Sequence, residues 1–406
     1  MAYSTANLLN SILRKHPVQG LSFDFVQGDY QNVLQSLLTQ FAPCGKIAVL
    51  YFQDTYERIS KNLSSSAKSV GYKTSHVVLP NDFVDCIEHY SGVFNLAEDA
   101  RMIVTADVRL YNLAKYFATV REVPCVLIYD GQTRYGLFSN NTQIINGRKI
   151  ETFDFNCKVN FIIDNACFDN ADGKLSDFYA HTVSYTLALL DYKINCTTTK
   201  QHIAQQTYLL VISAIKRAYK VFTNKYNEQA TEIVTALLEL ELACAYNGQA
   251  LSKLFSAYNC YLIEKEGKSQ GKIELLYSIT IAKLFSVYLS NDFDQLLTYP
   301  NYLQRAEQLG KALSVAQDKI IKTFCNQSEI IKQNTDEIDA VTKSFSDEIN
   351  NFINQESTML NTFKALKGQA QNDLCNYKFA LKHCGDYVDG INCVTLIRES
   401  GILENI

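Results

Sequence analysis

The chain has 406 residues, 47% of them hydrophobic, with a formal net charge of −4. Such a chain can bury a large core in two or three domains, and its acidic balance, with no basic cluster interleaved with aromatics, excludes a nucleic-acid surface. Apolar runs such as 208–215 are too short to span a bilayer, MAYSTANLLNSILRKH lacks a secretory apolar stretch, and 12 scattered cysteines without a C-x-x-C pair read as reduced core thiols, so no membrane and a cytoplasmic location are expected.

The first third of the chain alternates strand and helix signals. KIAVLYF (46–52) reads as a strand, 55–70 as a helix, KTSHVVLP (73–80) as a strand and 83–92 as a helix. MIVTA (102–106), a helix over 110–119 and VPCVLIY (123–129) continue the series. Strands separated by helices of this length form right-handed βαβ units in a parallel sheet. FSNNTQIING (138–147) reads as a turn-rich excursion, while RKIETFDF (148–155) and VNFIID (159–164) supply further strands. Four of the five prolines lie in this third, and only Pro300 follows.

From about residue 171 the pattern is helical with few breakers, which predicts an all-α second half. The expected division is an α/β nucleotide-binding-like domain over 1–165 and an all-α domain over 166–406. Within the latter, 302–372 is charged and Asn/Gln-rich, with Leu303, Ala306, Leu309, Leu313 and Ala316 at helical spacing, as in an antiparallel helical hairpin; a self-associating arm is the alternative. The segment LSDFYAHTVSYTLALLDYKIN (175–195) places Asp177, His181, Ser184, Ala188 and Asp191 on one helical face. Such a stripe is either a solvated face or a site.

Four passages carry a family likeness: KIAVLYFQDTYERI, MIVTADVRLYNLAKYFATVREVPCVLIYDG, VNFIIDNACFDNADGKLSDFYAHTVSYTLALLDYKIN and YVDGINCVTLIRESGIL. Together they resemble the iron-containing alcohol dehydrogenase and 3-dehydroquinate synthase-like superfamily, nearest the sn-glycerol-1-phosphate dehydrogenases. The resemblance implies a Rossmann-like parallel-sheet domain followed by a helical bundle, with ligands in a cleft between the two. It also implies a glycine-rich loop under the dinucleotide pyrophosphate. Aligned on Leu113, Ala114 and Lys115, the loop's glycines fall on Ala106 and Val108 and its aspartate on Asn112, with Asp107 between them. A β-branched valine in that place adds bulk, and Asp107 adds like charge against a diphosphate.

The family's Pro-Thr strand end falls on Tyr129-Asp130, and of the loop that follows only Gly136 and Ser139 look retained. The metal aspartate falls on His181, with Asp177 one turn away, and the two metal histidines fall on Leu251 and Gln270. In the tail, the Arg-Tyr-Thr run falls on Gly390, Ile391 and Asn392.

The resemblance therefore implies a catalytically degenerate homologue with a binding, regulatory or scaffolding role, no bound metal or dinucleotide, and a small anionic ligand in the cleft. The competing expectation is a working NAD(P)-dependent polyol-phosphate dehydrogenase, with a Zn or Fe ion and a site rebuilt around His181, Asp177 and Lys115; a self-associating structural protein is a third. Read as individual residues, His181 is expected to bond Ser184 or Asp177, Lys115 to be solvated unless it meets an anion, Asp191 and Lys193 to form a helix-end charge pair, and Cys125 to be packing.

Overall fold

Residues 47–52 of KIAVLYF are all buried, as a strand covered on both faces requires. The computed structural model describes residues 4–18, 22–41, 45–80, 83, 86–96, 99–131, 136–146, 149–169, 175–223, 229–247, 270–291, 301–313, 316–362, 383 and 390–405. Two compact units emerge: Met1–Leu175 with Lys225–Tyr246, and Ser176–Asn224 with Asn247–Ile406.

The first unit runs α1 (Thr5–Lys15), β1 (Ser22–Gly28), α2 (Tyr30–Gln40), β2 (Lys46–Phe52), α3 (Gln53–Ser69), β3 (Lys73–Leu79), α4 (Ile87–Leu96), β4 (Ala100–Thr105), α5 (Tyr111–Arg121) and β5 (Cys125–Tyr129). It continues through β6 (Asn141–Asn146), β7 (Lys149–Asp154), β8 (Lys158–Asp164) and α6 (Ala166–Asp169). Six strands form one wholly parallel sheet in the order β1-β8-β5-β4-β2-β3. One face buries Leu34, Ile47, Val49, Val104, Val126 and Ile162 in a common apolar cluster.

Two expectations change here. Residues 149–154 do not extend the sheet; they pair with 141–146 in a separate antiparallel hairpin, so the expected turn-rich excursion is itself a strand. Its polar composition hides a period of two, in which Thr142 and Ile144 are buried while Ile145 is exposed. The strand 22–28 also lacks a plain apolar signal, and it forms the sheet edge beside β8. That edge is closed locally by α1: the Asn10 amide donates to the Phe25 carbonyl at 2.7 Å and accepts the Phe25 N–H at 2.9 Å, standing in for a neighbouring strand.

A later helix, α9 (Gln229–Asn247), counts with this unit over most of its length. The Thr235 hydroxyl donates to Thr231, so Thr5 must be the donor in the 2.7 Å bond between the Thr5 and Thr235 hydroxyls. Farther along α9, buried Glu241 accepts the Leu137 N–H at 2.9 Å.

The second unit contains α7 (Leu175–Thr199), α8 (Gln205–Thr223), α10 (Gln270–Leu289), α11 (Tyr302–Leu313), α12 (Gln317–Gln333), α13 (Thr335–Ser344), α14 (Ser346–Thr362) and α15 (Cys393–Glu399). Among the described residues no strand follows Asp164. Over 302–362 there are four consecutive helices, the first two packed through Ala306, Leu309, Ile320 and Phe324; 363–372 lies outside the described residues. Helix α7 is buried on every side along 178–192 apart from half-buried Thr186, so its polar stripe is no solvated face. No described helix is long and apolar enough to cross a membrane.

Candidate functional site

The chain leaves β2 for β3 on one side and returns with β4 on the other, so the sheet reverses its winding between β2 and β4. In open α/β sheets ligands settle at the carboxyl ends of the strands at such a reversal. Here that edge is lined by aspartates: Asp29 after β1, Asp54 just inside α3, Asp107 after β4, Asp130 after β5 and Asp164 ending β8.

Asp107 is 1% exposed and fully engaged. Its Oδ1 accepts the Arg109 backbone N–H at 3.0 Å and Nε at 2.8 Å, and its Oδ2 accepts Nη2 at 2.6 Å and the Thr55 hydroxyl at 2.8 Å. Burial works to raise its carboxyl pKa, but the hydrogen bonds from Arg109 and Thr55 outweigh it and hold the group below its ordinary value. Arg109 Nη2 also bonds Asp54 at 2.9 Å, and its guanidinium lies 4.2 Å from the Phe52 ring centroid. Thr105 completes the knot: its hydroxyl donates to the Leu50 carbonyl at 3.0 Å and accepts the Asp107 N–H at 3.1 Å.

Other amides at this edge are likewise taken by carboxylates. Asp29 caps α2 by accepting the Asn32 N–H at 3.1 Å, and Asp164 accepts the Tyr30 N–H at 3.3 Å and the Ala166 N–H. Helix N-termini bind phosphate through free amides and positive partial charge. These amides already have internal anions. Ala106 and Val108 are buried, and Asn112 is half-buried with no hydrogen-bond partner for its Oδ1. The loop therefore does not fit a dinucleotide pyrophosphate.

Lys115 overturns the expectation of a solvated side chain, being wholly buried. Its Nζ donates to the Ser139 carbonyl at 2.8 Å and lies 4.7 Å from the Phe155 ring centroid, and burial lowers its pKa to about 8. Helix α5 aims this ammonium at the 137–139 turn, where it acts as a clamp. Cys125 packs in β5, and burial pushes its thiol well up, away from a reactive thiolate.

In the second unit, His181 is buried against the Tyr185 ring, at 5.4 Å between centroids, and Asp177 is half-buried. The Ser184 hydroxyl donates to the Ala180 carbonyl at 2.6 Å. Gln270 opens α10; Leu251 lies outside the described residues. Among the described residues no group of three or more His, Cys, Asp or Glu side chains is placed to hold a metal ion. A catalytic Zn or Fe needs about three protein ligands, and the described donor set does not fit one.

Asp191 and Lys193 are not a charge pair, because positions two apart on a helix point to opposite sides. Buried Asp191 accepts the Cys393 N–H at 2.7 Å, whereas the Lys193 ammonium lies over Tyr208 and Phe345 at 4.9 and 4.3 Å. In the tail, Asn392 caps α15 in a reciprocal box with Thr395, and Gly390 has φ +116° where a Cβ would meet Asn195 Oδ1 at 2.7 Å.

The sequence reading missed Thr55, Asp54 and Arg109, and with them the recurrence of aspartate at the strand ends. That recurrence was the available signal.

Neither a protein-family model nor a curated protein matches the sequence. In structure the chain is similar to glycerol dehydrogenase from Schizosaccharomyces pombe, with 12% identity and a TM-score of 0.51 over 83% of this chain and 92% of that one. Iron-containing alcohol dehydrogenase from Thermococcus thioreducens shares 10% identity, with a TM-score of 0.49 over 95% and 99% of the two chains. NADH-dependent butanol dehydrogenase A from Thermotoga maritima shares 11%, with 0.49 over 95% and 96%. The architecture, a parallel-sheet α/β part followed by a largely helical part, is the glycerol dehydrogenase fold. Within that fold, the Schizosaccharomyces pombe glycerol dehydrogenase carries the comparison.

Proposed function

We propose that this protein uses the iron-containing alcohol dehydrogenase fold without its dinucleotide chemistry, as a binding or regulatory relative of the glycerol and glycerol-phosphate dehydrogenases. One observation carries the reading: the Asp107 carboxylate takes the Arg109 N–H at the turn into α5, the place where a pyrophosphate would approach, and is locked there by Arg109 and Thr55. The surrounding field points the same way. A diphosphate at this edge meets carboxylates from Asp29, Asp54, Asp107, Asp130 and Asp164, against the guanidinium groups of Arg58 and Arg109, which are already paired with Asp130, Asp54 and Asp107. The same charge pattern disfavours a small anionic ligand at this edge.

Calorimetry of the full chain with NAD⁺ and NADP⁺, together with elemental analysis for Zn and Fe, tests the proposal. The expected result is no saturable dinucleotide binding at millimolar ligand and no stoichiometric metal. Micromolar binding, or one metal per chain lost on His181→Ala, would overturn it in favour of a working dehydrogenase.

A further inference from the structure

We propose that the helical unit carries its own binding site for a small uncharged amphiphile, an apolar body with a hydroxyl or amide head, in a cavity of about 490 Å³ between α7, α8 and α14. Small-molecule sites fall at roughly 300–1,000 Å³, with mostly apolar walls and a few convergent polar groups. Leu189, Ile212, Ile215 and Phe352 supply such walls. Two polar side chains on the lining are turned away from a ligand. The Tyr219 hydroxyl is engaged by buried Glu356, so Tyr219 offers its ring, and the Thr186 hydroxyl donates to the Val183 carbonyl at 2.8 Å.

Charge decides the class of head group. Tyr208 and Phe345 both line the cavity, and the ammonium of Lys193 already lies over both rings. Glu348, also on the lining, is the carboxylate acting on that ammonium. A cationic head is repelled by Lys193 and an anionic head by Glu348, while the pair leaves no net charge to neutralise. The remaining polar groups are the Tyr208 hydroxyl and the exposed carboxamides of Asn351 and Gln355, which donate and accept without charge. They match a hydroxyl or amide. All these residues belong to the second unit, so the site is independent of the reading given for the carboxyl edge of the sheet.

The chain has no tryptophan, so Tyr208→Trp in the full-length protein places a single tryptophan on the cavity wall, excited selectively at the red edge where tyrosine does not absorb. Octan-1-ol, octanoate and octylammonium, sharing one eight-carbon body, are titrated at neutral pH. The expected result is a saturable emission shift with octan-1-ol, about tenfold weaker for either charged head, and weakened by Ile212→Phe, which fills the cavity. Calorimetry of octan-1-ol on the unsubstituted chain and on Asn351→Ala/Gln355→Ala, a change confined to exposed side chains, gives the same decision should a wall variant fail to fold. No saturable octan-1-ol binding, binding indifferent to these substitutions, or equal binding of a charged head overturns the proposal.

Discussion

Asp191 on α7 accepts the backbone N–H of Cys393 at 2.7 Å, joining residues 202 apart in sequence. Its other oxygen is buried with no hydrogen-bond partner, and burial raises the carboxyl from 3.8 to about 7, against the lowering effect of the Cys393 bonds. A folded pKa above the unfolded value means that the folded state holds the proton more tightly. The associated stability is full below about pH 4 and is lost as pH rises through 7, amounting to about 4 kcal/mol at most. Asp191→Asn keeps the acceptor for Cys393 and removes the charge. Denaturant melts from pH 4 to 8 are expected to show the variant gaining on the wild type as pH rises, and a pH-independent difference would refute this assignment.

Lys115 gives the opposite dependence. Its folded pKa of about 8 lies below the unfolded value near 10.5, so the unfolded state binds the extra proton between those values and stability from this group rises with pH across that window. The swing is about 3 kcal/mol. Lys115→Met is expected to compare best with the wild type at pH 7 and progressively worse toward pH 10. Taking the difference between the two proteins cancels the tyrosines and cysteines that titrate in the same range.

The Asp107–Arg109 pair predicts a non-additive cycle. Arg109→Ala removes two of the four hydrogen bonds on a buried carboxylate, leaving the residue-109 N–H and the Thr55 hydroxyl, and is expected to destabilise by about 1–3 kcal/mol, since Arg109 itself is partly exposed. Adding Asp107→Ala should recover part of that loss, with a coupling above about 1 kcal/mol in denaturant melts. Additive losses would mean that the pair is held by its surroundings and contributes little itself.

Gly390 should resist substitution for two separable reasons. Its φ of +116° strains any L side chain, and a Cβ there would approach Asn195 Oδ1 to 2.7 Å. Gly390→Ala is expected to lower stability by about 2 kcal/mol or more. Asn195→Ala should relieve only the steric part. Full rescue by that second change would show that the backbone conformation carries no cost.

Continuous apolar runs made the central strands legible. KIAVLYF and VNFIID need no neighbours to declare themselves, because a strand covered on both faces is apolar over nearly its whole length, with Asn160 a buried polar exception. The strand 141–146 and the edge strand β1 were hidden for the converse reason: the first buries Thr142 and Ile144 but exposes Ile145, and the second buries only Phe25 and is sealed by Asn10, a side chain outside the strand.

The sequence by itself determined the parallel-sheet half, the helical half and the absence of glycine from the loop after β4, since each rests on residue type and local spacing. Tertiary structure alone decided what the residues of that loop do. The hold of Thr55 and Arg109 on Asp107, the burial of Lys115 beneath Ser139, and the bond from Cys393 to Asp191 all join residues whose meeting depends on how the chain folds back. A carboxylate or ammonium looks the same in a sequence whether it faces water or a protein dipole; its role follows from the groups that packing brings within hydrogen-bonding distance.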